Sequence, residues 1–309
     1  MRSILLAVSI AAALASCATA PTPTPALQTQ SPVMAWSALL TRPRPAATST
    51  VAYGADPYQV ADLWLPAAKS TRPHPTVLMV HGGCWTTGIA DRNIMNWIAA
   101  DLARRGIAVW NIDYRGVDRP GGGYPGTFAD AAAAADALSA QAKLHNLDLS
   151  RLVAVGHSAG GHLALWLAAR PKLPAGSALR TPAPLAIHYV VSLGGLPDLE
   201  QARAETNGCG GEVVDHLVGP STLSSRDVYA DTSLPRLAPI RVPHTLVNGD
   251  RDRIIPTHFA ATYAAKMRGR GDRVTVRIVK GQGHVELIAP ETPAWAAAVA
   301  AIETALGRR

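Results

Sequence analysis

Ser158 stands between two glycines in Gly156-His157-Ser158-Ala159-Gly160. The apolar run Leu152-Val153-Ala154-Val155 before it reads as a buried parallel strand. Residues 159–167, Ala-Gly-Gly-His-Leu-Ala-Leu-Trp-Leu, read as a helix packed on a sheet. A serine between glycines at a strand-to-helix turn is the nucleophile-elbow pattern. The turn is too tight for flanking side chains, and glycine removes the collisions. It lifts the serine hydroxyl off the sheet edge. It also aims the Ala159 N–H at the point where a substrate oxygen would become negative. The bland reading is a Gly-Ser turn that only links a strand to a helix.

A serine hydroxyl is a weak nucleophile and needs a base, normally a histidine held in one tautomer by a carboxylate. In this pattern the partners follow in the order serine, acid, histidine. Of ten histidines, His284 in Gly281-Gln282-Gly283-His284 is the best base. It follows the last strand, and its flanking glycines let the loop bend back over the sheet. The acid is sought in Gly249-Asp250-Arg251-Asp252-Arg253-Ile254-Ile255-Pro256. Asp252 is favoured because Pro256 can open the next helix, with Asp250 and then Asp198 behind it. A developing oxyanion needs at least two donors. Ala159 supplies one amide, and His81-Gly82-Gly83-Cys84-Trp85 supplies the other from Gly83 or Cys84, with Gly82 shaping the loop. Trp85 is an even choice between a pocket wall and packing. Glu286, close to the base, could help order the His284 loop, though a solvated side chain is the plainer reading.

The elements that must position these groups alternate. Strands are expected at 59–65, 76–80, 107–112, 152–155, 189–193, 244–248 and 274–279, and helices at 91–104, 128–144, 257–267 and 294–306. That alternation means an α/β fold, a mostly parallel sheet covered on both faces. Residues 196–239 break it and read as a short lid-like insertion over the strand ends. Gly121-Gly122-Gly123 lacks the lysine and spacing of a phosphate loop and reads as a flexible surface turn.

The chain has 309 residues, 48% hydrophobic and 17% charged, enough for one large domain. Its net charge of +7 is dispersed and aromatic residues are 5%, so nucleic acid is not an expected partner. No metal or cofactor is expected, because the two loops account for His81, His157 and His162. Cys84 and Cys209 could form a disulfide or remain two thiols.

Arg2 and the apolar stretch Ile4–Leu14 read as a leader too short to span a bilayer. With Leu14-Ala15-Ser16-Cys17 it resembles a bacterial lipoprotein signal. That resemblance implies cleavage after residue 16, lipidation of Cys17, and a membrane anchor facing the periplasm or the cell surface. An ordinary secretory cut near Ala20 is the alternative. Residues 17–50 read as a Pro/Thr-rich tether, and the catalytic domain is expected over 51–309.

His81-Gly82-Gly83, the elbow, Asp252 and His284 together resemble the α/β-hydrolase superfamily over residues 55–307. Within it, His81-Gly-Gly-Cys-Trp, Asp113-Tyr114-Arg115, Gly156-His-Ser-Ala-Gly-Gly-His162 and Gly283-His284-Val285-Glu286-Leu287 resemble the kynurenine formamidase-like carboxylesterases. The resemblance implies Ser158, Asp252 and His284 as the triad, and residues 82–84 with Ala159 as the oxyanion hole. The expected function is hydrolysis of small carboxylic esters through an acyl-enzyme. Arylformamidase chemistry and a non-catalytic binding protein on the same fold are the alternatives. An exported enzyme fits cytosolic tryptophan breakdown poorly.

Overall fold

The computed structural model describes residues 32–68, 70–205, 208–219 and 227–308. The leader, Cys17 and the first part of the expected tether lie outside them. Residues 32–309 form one compact unit.

The strands are β1 (Ser49–Ala52), β2 (Val60–Trp64), β3 (His74–Val80), β4 (Ala108–Ile112), β5 (Leu147–His157), β6 (Tyr189–Leu193), β7 (His244–Gly249) and β8 (Val274–Val279). They make one eight-stranded sheet in the order β1-β2-β4-β3-β5-β6-β7-β8. The β1–β2 and β2–β4 pairs are antiparallel, and the rest are parallel. The chain leaves β3 toward β4 and then returns past β3 to lay down β5. Loops after β3 and β5 therefore part in opposite directions, and a crevice opens at the carboxyl ends of these strands. Val80 lies opposite Gly156 in register, so the loop after Val80 and the turn at Ser158 meet at that crevice.

The period of two along buried strands sends alternate residues to two cores. Leu78, Val80 and Ala154 belong to one, with α3 (Gly126–Leu144), α4 (Ala159–Ala169) and α9 (His258–Arg268). Val77, Met79, Val153 and Val155 belong to the other, with α2 (Asn96–Arg104) and α10 (Pro293–Ala305). Both faces are covered, so these strands are near-continuous apolar runs. The α10 helix starts with Pro293 behind Thr292, whose hydroxyl accepts the Trp295 N–H at 3.1 Å.

Two expectations need correction, and the insertion gains detail. The folded unit starts well before Val51. Residues 32–50 include α1 (Trp36–Leu40) and part of β1, and Leu39 is fully buried. The Pro/Thr composition masked one short helix held by long-range contacts. Next, among the described residues the insertion contains four short helices, α5 (Leu199–Ala204), α6 (Glu212–Val218), α7 (Tyr229–Thr232) and α8 (Leu234–Leu237). Each is too brief to show a period. Finally, the glycine run is packed rather than a flexible surface turn: a Cβ at Gly122 would sit 1.8 Å from the Gly116 carbonyl oxygen.

Candidate active site

Ser158 has φ 54° and ψ −123°, left-handed backbone that a side-chain-bearing residue adopts only under constraint. The constraint is visible. The Ser158 N–H donates to the Leu193 carbonyl at 2.8 Å, and its carbonyl accepts the Gly161 N–H at 2.8 Å. A Cβ on Gly160 would lie 2.2 Å from the Val80 carbonyl oxygen and 2.4 Å from that of His81. Only glycine lets the elbow approach β3 this closely. A Cβ on Gly82 would lie 2.9 Å from the Ser158 Cβ, so that glycine likewise opens the space over the Ser158 side chain.

The structure brings His284 and Asp252 together. His284 Nδ1 donates to Asp252 Oδ2 at 2.6 Å, with both groups buried. The other Asp252 oxygen accepts the Ile254 and Ile255 N–H groups at 2.8 Å each. A carboxylate held this way fixes the ring and its tautomer. The two other acid candidates have different tasks. Asp250 accepts the Gly281 N–H at 2.7 Å and ties the turns after β7 and β8 together. Asp198 caps α5 and pairs with Lys266 at 2.5 Å.

Ser158 and His284 line one cavity of about 210 Å³. In this conformation the serine Oγ faces Cys209 Sγ at 3.9 Å and makes no hydrogen bond to His284. Catalytic hydrogen bonds in ligand-free sites are often long and tighten with substrate. His157 packs against the base, ring centroids 4.4 Å apart, and its Nε2–H donates to the His284 carbonyl at 3.2 Å. Burial, and then the nearby His284, push the His157 pKa well below its ordinary value. It remains neutral and does not compete for the proton.

The loop after β3 turns through positive φ at Gly83, Cys84 and Trp85, at 103°, 51° and 54°. Among the described residues no acceptor takes the N–H of Gly83, Cys84 or Ala159. These amides are therefore free to serve an oxyanion. The loop is anchored from behind. His81 Nε2 lies 2.9 Å from Asp113 Oδ1, and Arg92 Nη1 lies 2.9 Å from Oδ2. Burial alone would raise the Asp113 pKa. Its hydrogen bonds and ion pairs with His81 and Arg92 outweigh that and lower it.

Cys84 and Cys209 form a disulfide, with Cα atoms 4.9 Å apart. It fastens the insertion to the oxyanion loop and sets a sulfur beside the nucleophile. Sequence alone left this pairing undecided. Trp85 does not wall the site. It is fully buried and stacks edge-on to His162 at 5.5 Å. The fifth residue of the β3 loop turns inward, so its indole joins the core. The walls are instead Trp36, Leu40, Ile89, Ala90, Ile94 and Ile254. Glu286 is also not solvated. Its buried carboxylate accepts the Met34 N–H at 2.6 Å and the Gly283 N–H at 3.1 Å. No sequence signal marked Trp36, because nothing local ties residue 36 to residue 284. The signal for Glu286 was its place two residues after the base.

A parallel sheet with a switch-point crevice, a strained serine after β5, and a histidine–aspartate pair after β7 and β8 define an α/β-hydrolase. The BD-FAE family model matches residues 61–267. The chain belongs to that family.

Its relatives are esterases by name. Esterase LipC of Mycobacterium tuberculosis is 26% identical over 245 residues, covering 76% of this chain and 58% of LipC. The probable isoprenylcysteine alpha-carbonyl methylesterase ICMEL1 of Arabidopsis thaliana is 24% identical, over 77% of this chain and 51% of its own. The chain thus spans little more than half the length of either. In structure it resembles esterase B of Lactobacillus rhamnosis, with a TM-score of 0.70 and 20% identity over 84% of this chain and 85% of that one.

Proposed function

We propose that the chain is a serine hydrolase of small carboxylic esters. The observation that carries this is the 2.6 Å His284–Asp252 hydrogen bond, which presents the imidazole to the cavity that Ser158 lines. His284 Nε2 takes the Ser158 proton as Oγ adds to the ester carbonyl. Amides of Ala159 and of Gly83 or Cys84 receive the oxyanion. Collapse expels the alcohol, which takes its proton from His284 and leaves an acyl-serine. Water, deprotonated by His284, releases the acid. Membership of BD-FAE and the esterase relatives support the same reading.

The test is hydrolysis of p-nitrophenyl acetate and butanoate by the purified protein. Activity that vanishes in Ser158→Ala, with fluorophosphonate labelling of Ser158 alone, is the expected result. A wild type inactive on every ester, or a label on another serine, would sink the proposal. N-formylkynurenine run beside the esters decides between ester and formamide substrates.

The leader and the disulfide support export to an oxidising compartment. We propose that Cys17 becomes a lipidated N-terminus that anchors the protein to a membrane. Mass spectrometry of the mature N-terminus checks this, and an unmodified start near Pro21 would exclude the anchor.

A further inference from the structure

The cavity over Ser158 is enclosed partly by chain outside the family match. Trp36 and Leu40 belong to α1, well before residue 61. Ile89, Ala90, Ile94 and Ile254 complete the apolar surround, and among the described residues no Lys, Arg, Asp or Glu lines the cavity. A charged substrate group placed here would lose its hydration and find no partner. At about 210 Å³ the space is below the ~300–1,000 Å³ usual for drug-sized ligands. Leu40 is 42% and Ile89 63% exposed, so the mouth is apolar as well.

Trp36 is the decisive wall. Its ring stands edge-on to His157 at 6.2 Å and to His284 at 6.3 Å. It also lines a second cavity of about 300 Å³, shared with Ile254, His284 and Arg253. Trp36, Ile254 and His284 thus line both spaces. The position of Trp36 is secured by the bond from Met34 N–H to Glu286.

Resting on the esterase reading, we propose that Trp36, with Leu40, determines specificity by restricting the site to esters whose group beside the scissile bond is compact, apolar and uncharged. Long chains are excluded because Trp36 closes the second cavity to them. That compact group can be the acyl chain or the alcohol, and the test separates the two.

The experiment measures kcat/KM of the whole protein on two ester series, acyl p-nitrophenyl esters from acetate to octanoate and alkyl acetates from methyl to octyl. A monosuccinate ester serves as the charged counterpart of the butanoate. The wild type should fall steeply with length in one series, which identifies the group that the cavity holds, and should reject the succinate. Trp36→Ala should raise the long-to-short ratio in that series about tenfold or more, since single methylenes already change such ratios by about ten to two hundred. Leu40→Ala should raise it less, and Leu144→Ala, far from the site, not at all. A ratio reports on folded enzyme only, so partial unfolding does not imitate the effect. Ester hydrolysis that needs Ser158 but shows no length discrimination, a Trp36→Ala ratio equal to wild type, or ready turnover of the succinate would overturn this inference alone. Absence of Ser158-dependent ester hydrolysis would overturn the esterase reading beneath it.

Discussion

On one side of Ser158 stand Asp252 and His284, 32 residues apart, on the turns that follow the adjacent strands β7 and β8. On the other side stand Cys84, Cys209 and α1, which reach the site from remote parts of the chain. The first side is held by charge-assisted hydrogen bonds among near neighbours in the sheet. The second is held by one covalent bond, apolar contact and single long-range tethers such as the Met34 N–H to Glu286 bond. The proposed reacting groups sit where the sheet dictates geometry. The groups that shape the cavity sit where individual contacts must be supplied. Chemistry and selectivity should therefore respond to different substitutions.

The largest expected effect is on the chemical side. Ser158→Ala should lower kcat by about 10⁶, as loss of a serine nucleophile does elsewhere. Asp252→Asn should cost about 10⁴ in kcat by freeing the wrong tautomer of His284. Asp250→Asn should leave kcat within about tenfold, because among the described residues that carboxylate holds the Gly281 N–H and no part of the His284 ring. Equal losses at 250 and 252 would refute the assignment of the acid.

Removal of the disulfide tests the other side. The bond closes a loop with a sequence separation of 125, and loops of that order are stabilised by about 4–5 kcal/mol. Cys84→Ser with Cys209→Ser should lower the melting temperature and raise KM more than it lowers kcat. A variant with unchanged KM would show that the insertion does not shape substrate binding.

His162 gives a pH test of the same side. Its Nε2–H donates to the Thr232 carbonyl at 2.9 Å, which links α4 to α7, and burial lowers its pKa from 6.5 to about 4. The unfolded chain gains this proton near 6.5 and the folded one only near 4. The neutral-histidine contribution is therefore fully present above pH 6.5 and is lost as pH falls toward 4, by about 3 kcal/mol. His162→Gln should flatten melting temperature against pH in that window. An unchanged slope would remove His162 from the account.

The smallest effect joins the two sides. Glu286→Gln replaces one of two acceptor oxygens with a donor, and a hydrogen bond to a charged group contributes about 1.5–3 kcal/mol. Melting should fall and KM should rise, with the pH dependence of kcat preserved. A shifted kcat profile would mean that Glu286 also acts on the His284 proton.

The same division governs what could be read from sequence. The later parts of β3 and β5 are buried on both faces and appear as apolar runs. The elbow glycines are demanded by contacts of about 2 Å, and the spacing before Pro256 singled out Asp252. Helix α1 and strand β1 were missed because one is five residues long and the other is an exposed edge. Glu286, Trp36 and the Cys84–Cys209 pair depend on partners far along the chain, which no local period reports. Trp85 was ambiguous because an indole beside an oxyanion loop can face either way, and only packing against His162 decides it.

The disulfide has one more consequence. Ser158 lies inside the covalent ring that runs from Cys84 to Cys209, while Asp252 and His284 lie beyond it. A protease that cuts once within that ring cannot release either piece. Nicked protein would migrate as an unbroken chain on a denaturing gel until reductant is added, and would then separate into two fragments.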